Sequence, residues 1–328
     1  MGLATGGYNI SLDARDPESN VSFVSHAHSD HTAGLRKGRK VIASSITWKL
    51  MSARGKKGTE LIRAPEEIEL LDAGHILGSK QLLAQSEETG ISILYSGDYQ
   101  MQVSEVAERI EIKEADVLIL DSTYPYKDVI FDHRENVIDA IQKYLSYKSE
   151  KGIVLFSAYA LGKAQELIRI ANEVGIVPVV DGRIAEMNEI YVESGIHLEY
   201  FSFGSDSEGI DTEIRGNFVG ITSSHTGKVE QSISHAYGRR VFTAIATGFA
   251  KMSNLGKDVQ FPLSDHADLA QAKEYIELCN PKIIYTYGGR ENSIAMAENL
   301  RDSGYNAHPY FLRGKTNLLD SSLITQRV

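Results

Sequence analysis

Short apolar runs alternate with amphipathic stretches along most of the chain. Six of these runs predict strands, at 21–26, 40–45, 91–98, 115–121, 151–159 and 281–289. Several are apolar throughout, which is expected of strands that are covered on both faces. Apolar residues at helical spacing predict helices at 135–148, 163–175, 269–279 and 291–304, the last ending at Gly304. This alternation predicts a layered α/β or α+β protein.

Length and composition narrow the class of protein. The 328 residues are enough for one large core or two domains. A content of 42% hydrophobic and 24% charged residues is that of a globular protein rather than a disordered one. No apolar run approaches the ~20 residues that a bilayer crossing needs. The N-terminus lacks a basic segment followed by an apolar one, so we expect a cytoplasmic protein with no membrane contact.

Cysteine and charge limit the chemistry further. The single cysteine, Cys279, excludes an internal disulfide and a cysteine zinc cage, so any metal ligands must be His, Asp or Glu. The net charge of −10 argues against indiscriminate coating of nucleic acid. A basic stretch from Arg36 to Arg63, which includes Lys56 and Lys57, contains a single acid. It is either a solvated face or a funnel that attracts a polyanion.

The strongest motif is SHAHSDH at 25–31, which begins at the end of the first predicted strand. His26 and His28 are two residues apart, so they share one face while the strand stays extended. The chain then turns, which lets Asp30 and His31 reach a second position nearby. Clustered imidazole and carboxylate groups without a thiolate suit zinc or a related divalent ion in a hydrolytic site.

Two further residues of ligand type stand at strand ends downstream. His75 occurs in DAGHILGS and Asp98 in YSGDY. Taken alone, His75 is equally consistent with a structural histidine, and Asp98 with a turn aspartate after Gly97. Together with the histidine cluster they complete a set of six candidate ligands.

This set resembles the signature of the metallo-β-lactamase superfamily. HAHSDH is similar to its HxHxDH motif, and GHILGS and SGDY resemble its third-histidine and bridging-aspartate motifs. Asp13 stands where that family has an early aspartate of structural or supporting role. The resemblance implies one ion held by three residues (His26, His28 and His75), a second held by Asp30 and His31, and a bridge from Asp98. A water between two such ions loses its proton near neutral pH and becomes the nucleophile.

Further segments resemble the β-CASP nuclease branch of that superfamily. ADVLILDSTY is similar to its acidic motif and places Asp121 in the carboxylate position, while FPLSDHADLAQ resembles its second motif, with His266. FSAYALGKAQEL and ATGFAKMS resemble two more of its segments, so the similarity runs from about Asp13 to about Arg290. The resemblance implies that Asp121 orients His266, which protonates the leaving oxygen or holds the scissile phosphate. The alternatives are a helix cap for His266 and a turn aspartate at Asp121.

One position departs from the branch. In its RNA-acting members the strand after the SDHAD segment usually ends in a histidine that binds the second ion, and here that strand carries Tyr287. Neutral tyrosine, with a reference pKa of ~10, is a poor zinc ligand. We expect the second site to be weaker, emptier or completed by water. DNA-acting members often have another residue there.

Four residues are candidate substrate contacts. Lys163 follows Gly162 at a predicted helix start, where free N–H groups and a lysine favour a phosphate. Ser79 follows Gly78 and offers a similar contact, and Lys56 and Lys57 belong to the basic stretch. Helix packing and a solvated surface are the alternatives.

We therefore expect an αββα metallo-β-lactamase sandwich made of residues 1–125 and 262–328, with a shortened β-CASP domain inserted at 126–261. The expected function is zinc-dependent hydrolysis of phosphodiester bonds in nucleic acid, similar to enzymes of messenger-RNA 3′-end processing. RNA is the first choice of substrate and a DNA exonuclease the second. A small-molecule metallo-hydrolase and a non-catalytic nucleic-acid-binding subunit are the alternatives. The sequence leaves open whether the protein forms a homodimer.

Overall fold

The computed structural model describes residues 2–5, 8–13, 18–86, 89–203, 216–223 and 227–310. Within them the strands are β1 Gly2–Thr5, β2 Tyr8–Leu12, β3 Val21–Phe23, β4 Lys40–Ile42, β5 Glu60–Leu61, β6 Ile68–Asp72, β7 Lys80–Gln85, β8 Ser92–Tyr95, β9 Val117–Asp121, β10 Ile153–Ser157, β11 Val179–Val180, β12 Phe201–Ser202, β13 Val219–Thr222, β14 Val241–Ala246, β15 Val259–Phe261, β16 Ile283–Tyr287 and β17 Ala307–Pro309. The helices are α1 Ser29–Thr32, α2 Ser45–Ala53, α3 Arg134–Ser149, α4 Lys163–Glu173, α5 Gly182–Glu193, α6 Gly227–Tyr237, α7 Leu269–Cys279 and α8 Arg290–Asp302.

Two compact units divide these elements. The first, here called the core unit, comprises Met1–Val103, Ala107–Ile130 and His266–Val328. The second, the insertion unit, comprises Ser104–Val106 and Phe131–Asp265. The functional domains expected at 1–125, 126–261 and 262–328 stay a prediction, and the end of the last, 311–328, lies outside the described residues.

Two sheets pack face to face in the core unit. Their strand orders are β1-β2-β3-β4-β5 and β17-β16-β9-β8-β7-β6. Strand β9 shows why its sequence is apolar throughout. Val117 and Ile119 belong to the cluster between the two sheets, whereas Leu118 and Leu120 pack in a second cluster with Tyr275 and other residues of α7 and α8. The predicted layered α/β fold is confirmed.

The ends of the strands bring the candidate site residues to one edge of the core unit. β9 runs parallel to β8 and β16, and Tyr287 stands in register with Asp121. Because parallel strands end at the same edge of a sheet, the segments after β8, β9 and β16 meet there. The predicted strand at 21–26 is shorter than expected and ends at Phe23, so His26 lies in a loop.

The insertion unit contains one parallel sheet of order β12-β11-β13-β10-β14-β15. Its first predicted strand and its first two predicted helices are present as β10, α3 and α4. The inward face of α3 is apolar, with Val137, Ile141 and Leu145 buried four residues apart. No helix in the described part of the chain is long and apolar enough to cross a membrane.

Candidate metal centre

Three histidines from two loops meet at the edge of the core unit. His26 Nε2 lies 3.0 Å from His28 Nδ1, and His75 Nε2 lies 3.2 Å from the same His28 atom. His26 and His75 are buried, at 0% and 3% exposure. One nitrogen of each residue lies within 4.8 Å of the others, which is the spacing of a shared ion. The three residues named by the sequence for a first ion are therefore together.

Asp98 stands at the middle of the cluster. Its Oδ2 lies 3.2 Å from His31 Nε2, 3.6 Å from His26 Nε2 and 3.9 Å from His75 Nε2. Burial would raise the pKa of this carboxyl, but His31 and His266 hold it well below its usual range. Asp98 is thus an anion surrounded by ring nitrogens, as a residue shared by two ions would be.

The pKa values of His26 and His31 are shifted in opposite directions. Burial, with His31 and His75 nearby, lowers the pKa of His26 well below its usual value. Burial also acts to lower the pKa of His31, but the carboxylates of Asp98 and Asp13 raise it well above its usual value. Without an ion, His31 is therefore the ring that carries the proton, and His26 is neutral and ready to coordinate.

Asp13 orients His31 and the loop that follows β3 through hydrogen bonds. Its carboxylate accepts hydrogen bonds from Ser25 N at 2.7 Å, His31 Nδ1 at 2.8 Å and the Tyr95 hydroxyl at 3.0 Å. The Ser25 hydroxyl also donates to it. Because Nδ1 of His31 donates to Asp13, Nε2 is left to face Asp98, which is how outer carboxylates orient ligand histidines. Asp13 has a φ of 46°, a left-handed conformation that Asp and Asn tolerate better than most residues.

Asp30 is the outermost of the candidate ligands. Its Oδ2 lies 3.5 Å from His31 Nε2, and its side chain is 78% exposed. Arg54, which the sequence did not single out, donates from Nη1 to the carbonyl of Ala27 at 2.8 Å. Burial lowers the pKa of Arg54, and the charge of Asp30 partly opposes this effect. Arg54 therefore holds the loop that carries the first two histidines; its place in the basic stretch was its only sequence signal.

The loop carrying His75 is tied down by hydroxyl groups. The Ser79 hydroxyl accepts from the backbone N–H of His75 at 3.2 Å and of Ile76 at 3.3 Å. Ser44 and Thr47, from the start of α2, both donate to the Gly78 carbonyl. Ser79 is 1% exposed, and its role as a phosphate contact stays a prediction. Its hydroxyl is used to shape the loop around a ligand.

His266 and Asp121 form a pair beside the cluster. His266 Nδ1 lies 3.0 Å from Asp121 Oδ2, and His266 Nε2 lies 3.9 Å from Asp98 Oδ2. Burial and the neighbouring Asp98 raise the pKa of Asp121. The alternative role of His266 as a helix cap is wrong, because Asp268 caps α7 by accepting from Gln271 N. Asp121 also accepts from the backbone of Thr123, so its turn role and its contact to His266 coexist.

Several known proteins are similar in sequence to this chain. No family model matches the chain. A probable DNA ligase from Opitutus terrae is 31% identical over 314 residues, 90% of this chain and 29% of that protein. The mouse DNA cross-link repair 1A protein is 31% identical over 168 residues, 47% of this chain and 16% of that protein. An RNase J-like protein from Methanocaldococcus jannaschii is 29% identical over 215 residues, 54% of this chain and 51% of that protein.

The last two of these relatives are metallo-β-lactamase nucleases of the β-CASP branch. This chain belongs to the same family. It spans about half the length of the RNase J-like protein and less of the other two.

Tyr287 stands at the β-CASP position that the sequence analysis flagged. Its ring lies 5.0 Å from that of Tyr95, and its hydroxyl is buried. Burial, with Tyr95, Asp98 and Asp121 nearby, raises its pKa well above its usual value. Tyr287 is therefore a neutral phenol at the edge of the cluster.

The remaining predicted substrate contacts differ in their surroundings. Lys163 is buried in the insertion unit, where Nζ lies 2.8 Å from Glu166 and 2.7 Å from Asp265. These two carboxylates also pair with Arg134, and the role of Lys163 as a phosphate contact stays a prediction. Lys56 and Lys57 lie beyond the end of α2, half-buried and exposed, and their role stays a prediction.

Proposed function

We propose that this β-CASP protein is a metal-dependent nuclease that hydrolyses phosphodiester bonds of nucleic acid. The observation that carries the proposal is the set of three overlapping ligand groups around Asp98. Their members are His26, His28 and His75; His26, His31 and Asp98; and His75, Asp98 and His266. Nitrogen and carboxylate donors without a thiolate fit zinc, which we propose as the natural metal.

Two ions would be held by the residues that the sequence named. His26, His28 and His75 would hold the first, and Asp30 and His31 the second, with Asp98 shared. Zinc bound there would act as a Lewis acid and lower the pKa of a water molecule toward neutrality.

The residues around the ions supply the proton chemistry. Asp121 fixes one nitrogen of His266 and so directs Nε2 toward the ligand cluster. In the proposed reaction His266 gives a proton to the leaving oxygen, and Asp121 stabilises the charged imidazole. A general acid held in this way contributes about 10²–10⁴ to the rate.

DNA is our first candidate for the substrate, although the sequence alone placed RNA first. The relative aligned over 90% of this chain is named as a DNA ligase, and another is named for DNA cross-link repair. Tyr287 in place of the histidine usual in RNA-acting members points the same way. RNA is the second candidate, favoured by the match to the RNase J-like protein. Ligation itself is not part of the proposal, because the match covers 29% of that relative.

The two alternatives from the sequence analysis account for fewer of the contacts. A small-molecule hydrolase gives no reason for a carboxylate to orient His266 beside the cluster. A non-catalytic binding subunit gives no reason to keep six ligand-type side chains within reach of one another. Both alternatives remain outcomes of the test below.

The test uses the metal-free chain reloaded with zinc. Single-stranded DNA and RNA of the same sequence, labelled at either end, are incubated with it, and the products are sized. We expect zinc-dependent cleavage, faster on DNA, and none with Asp30→Ala, which removes a ligand while leaving His266 and Asp121 in place. Absence of cleavage of both strands by the zinc-loaded protein would contradict the proposal. Sedimentation of the same sample tests the homodimer.

A further inference from the structure

A ladder of alternating cations and aromatic rings lies on the insertion unit. Lys151 Nζ sits 3.4 Å from the centre of the Tyr147 ring, and Lys148 Nζ sits 5.4 Å from the same ring. Lys148 Nζ is also 4.5 Å from the centre of the Phe242 ring, and the Arg240 guanidinium carbon is 4.6 Å from it. We call these five residues the Tyr147 patch. All of these distances are within the ~6 Å range of a cation–π contact.

The backbone holds the two sides of the patch together. Ile153 follows α3 in the chain, and its backbone N–H donates to the Arg240 carbonyl at 2.9 Å. A Cβ on Gly152 would lie 2.5 Å from that carbonyl oxygen, so only glycine allows this close approach. Phe242 is 5% exposed and anchors the patch, whereas Tyr147 is 56% exposed and faces solvent. The backbone therefore fixes how the α3 side and the β14 side of the patch lie next to each other.

The charges of the patch are not neutralised by carboxylates. Within the described residues no ion pair is formed by Lys148, Lys151 or Arg240, whereas exposed lysines elsewhere, such as Lys113 and Lys282, pair with acids. Aromatic faces order a cation without cancelling its charge. Hydrogen bonding from the Lys151 ammonium, together with its charge, lowers the pKa of Tyr147.

We propose that the Tyr147 patch is a second binding site for single-stranded nucleic acid, separate from the residues that carry out the reaction. Three ordered cations suit phosphates, and an exposed tyrosine suits stacking on a base, which is the combination used by proteins that bind single strands without sequence preference. The inference rests on the proposed function, since it takes the substrate to be nucleic acid. The patch binds a part of the strand other than the bond being cut.

The binding test uses metal-free protein and labelled single strands of about 6 and about 30 nucleotides, followed by fluorescence anisotropy at several salt concentrations. For the long strand, Lys151→Ala with Arg240→Ala should raise Kd about tenfold or more. It should also reduce the slope of log affinity against log salt by about 1.4, because each lost phosphate contact removes about 0.7. Tyr147→Ala should weaken binding about fivefold or more, and Tyr147→Phe should restore it.

The matched control is Lys113→Ala with Lys282→Ala, which removes the same charge from the core unit. These lysines precede β9 and β16, at the ends opposite Asp121 and Tyr287. The control should bind as the wild type does. If the patch variant and the control have the same Kd and salt slope, the inference is overturned. If polyglutamate competes for the patch as well as an unlabelled single strand does, the assignment to nucleic acid is overturned.

Activity separates this inference from the proposed function. With zinc, the patch variant should cleave the short strand at the wild-type rate and show a raised KM only on the long strand. If the wild type cleaves both strands and the patch variant has the wild-type KM on each of them, the inference alone is overturned. A wild type that cleaves neither strand would overturn the proposed function as well.

Discussion

Asp13 offers the sharpest test of how the second ion is held, because its carboxylate is an acceptor and never a ligand in the proposed site. Asp13→Asn keeps the shape of the side chain and the tolerance for a φ of 46°. It replaces one carboxylate oxygen with an amide that donates. An amide group facing His31 would favour the tautomer with its proton on Nε2, the atom that now lies 3.2 Å from Asp98.

The size of the effect follows from the contacts that are lost. Two hydrogen bonds to the charged carboxylate, from Ser25 N and His31 Nδ1, are weakened. Bonds to charged groups contribute about 1.5–3 kcal/mol each, and the amide retains one acceptor, so the free energy of unfolding of the metal-free protein should fall by about 2–4 kcal/mol. Loss of an orienting carboxylate should lower zinc affinity at the second site about 10–100-fold.

The stability difference should also depend on pH. Because the folded pKa of His31 is raised, its ion pairs stabilise the metal-free protein below the unfolded pKa of ~6.5, provided that the carboxylates are ionised. That contribution is lost as the pH rises through the folded pKa. The gap between wild type and Asp13→Asn should therefore be widest between about pH 5 and 6.5 and narrow at higher pH.

Zinc affinity is measured by competition with a chromogenic chelator, and unfolding by denaturant titration in the presence of a strong chelator. Asp302→Asn, at an exposed surface pair with Lys127, is the matched control and should change neither. Should Asp13→Asn bind two zinc ions as tightly as the wild type, the orienting role of Asp13 would be refuted.

Three further predictions address other parts of the core unit. His266→Ala should lower turnover about 10²–10⁴-fold with zinc content unchanged; loss of zinc would instead make His266 a ligand, as one of the three groups allows. Tyr287→His should raise the zinc content toward two ions per chain, measured by elemental analysis after mild chelation, and two equally tight ions in the wild type would contradict our account of Tyr287. Burial raises the pKa of Cys279 to about 11, so at pH 8 about one thiol in a thousand is ionised, and iodoacetamide should modify it only in denaturant; rapid modification of the folded protein would show that the thiol is accessible.

Most of the candidate site could be predicted from the sequence because its ligands come in short segments. His26, His28 and His31 are close along the chain, so local geometry alone keeps them near one another. Asp98 follows β8 and Asp121 ends β9, and the parallel pairing of these strands predicts that the two residues meet at one edge. His75 follows β6, which runs in the same direction as β8 because each of them pairs antiparallel with β7. The resemblance to known motifs indicated which of these residues belong to one site.

The sequence could not show which partners two of the predicted substrate contacts already have. Lys163 was predicted to contact a phosphate, and Asp265, 102 residues away, pairs with it in a buried position. Ser79 was predicted to make a similar contact, and its hydroxyl accepts a hydrogen bond from the backbone of the His75 loop. Sequence shows that a side chain can bind an anion or donate a proton, but not whether another part of the chain has already occupied it.

The sequence by itself determined the layered fold and the donor types, because apolar periodicity and ligand chemistry are properties of the residues. Only the tertiary structure decided the charge states, since the pKa of His31 depends on Asp13 and Asp98, which approach it from different strands. It alone also revealed the Arg54 contact to Ala27 and the Tyr147 patch. Burial and electrostatic interactions depend on which groups lie near one another in space. Folding sets those distances, and the sequence alone does not show them.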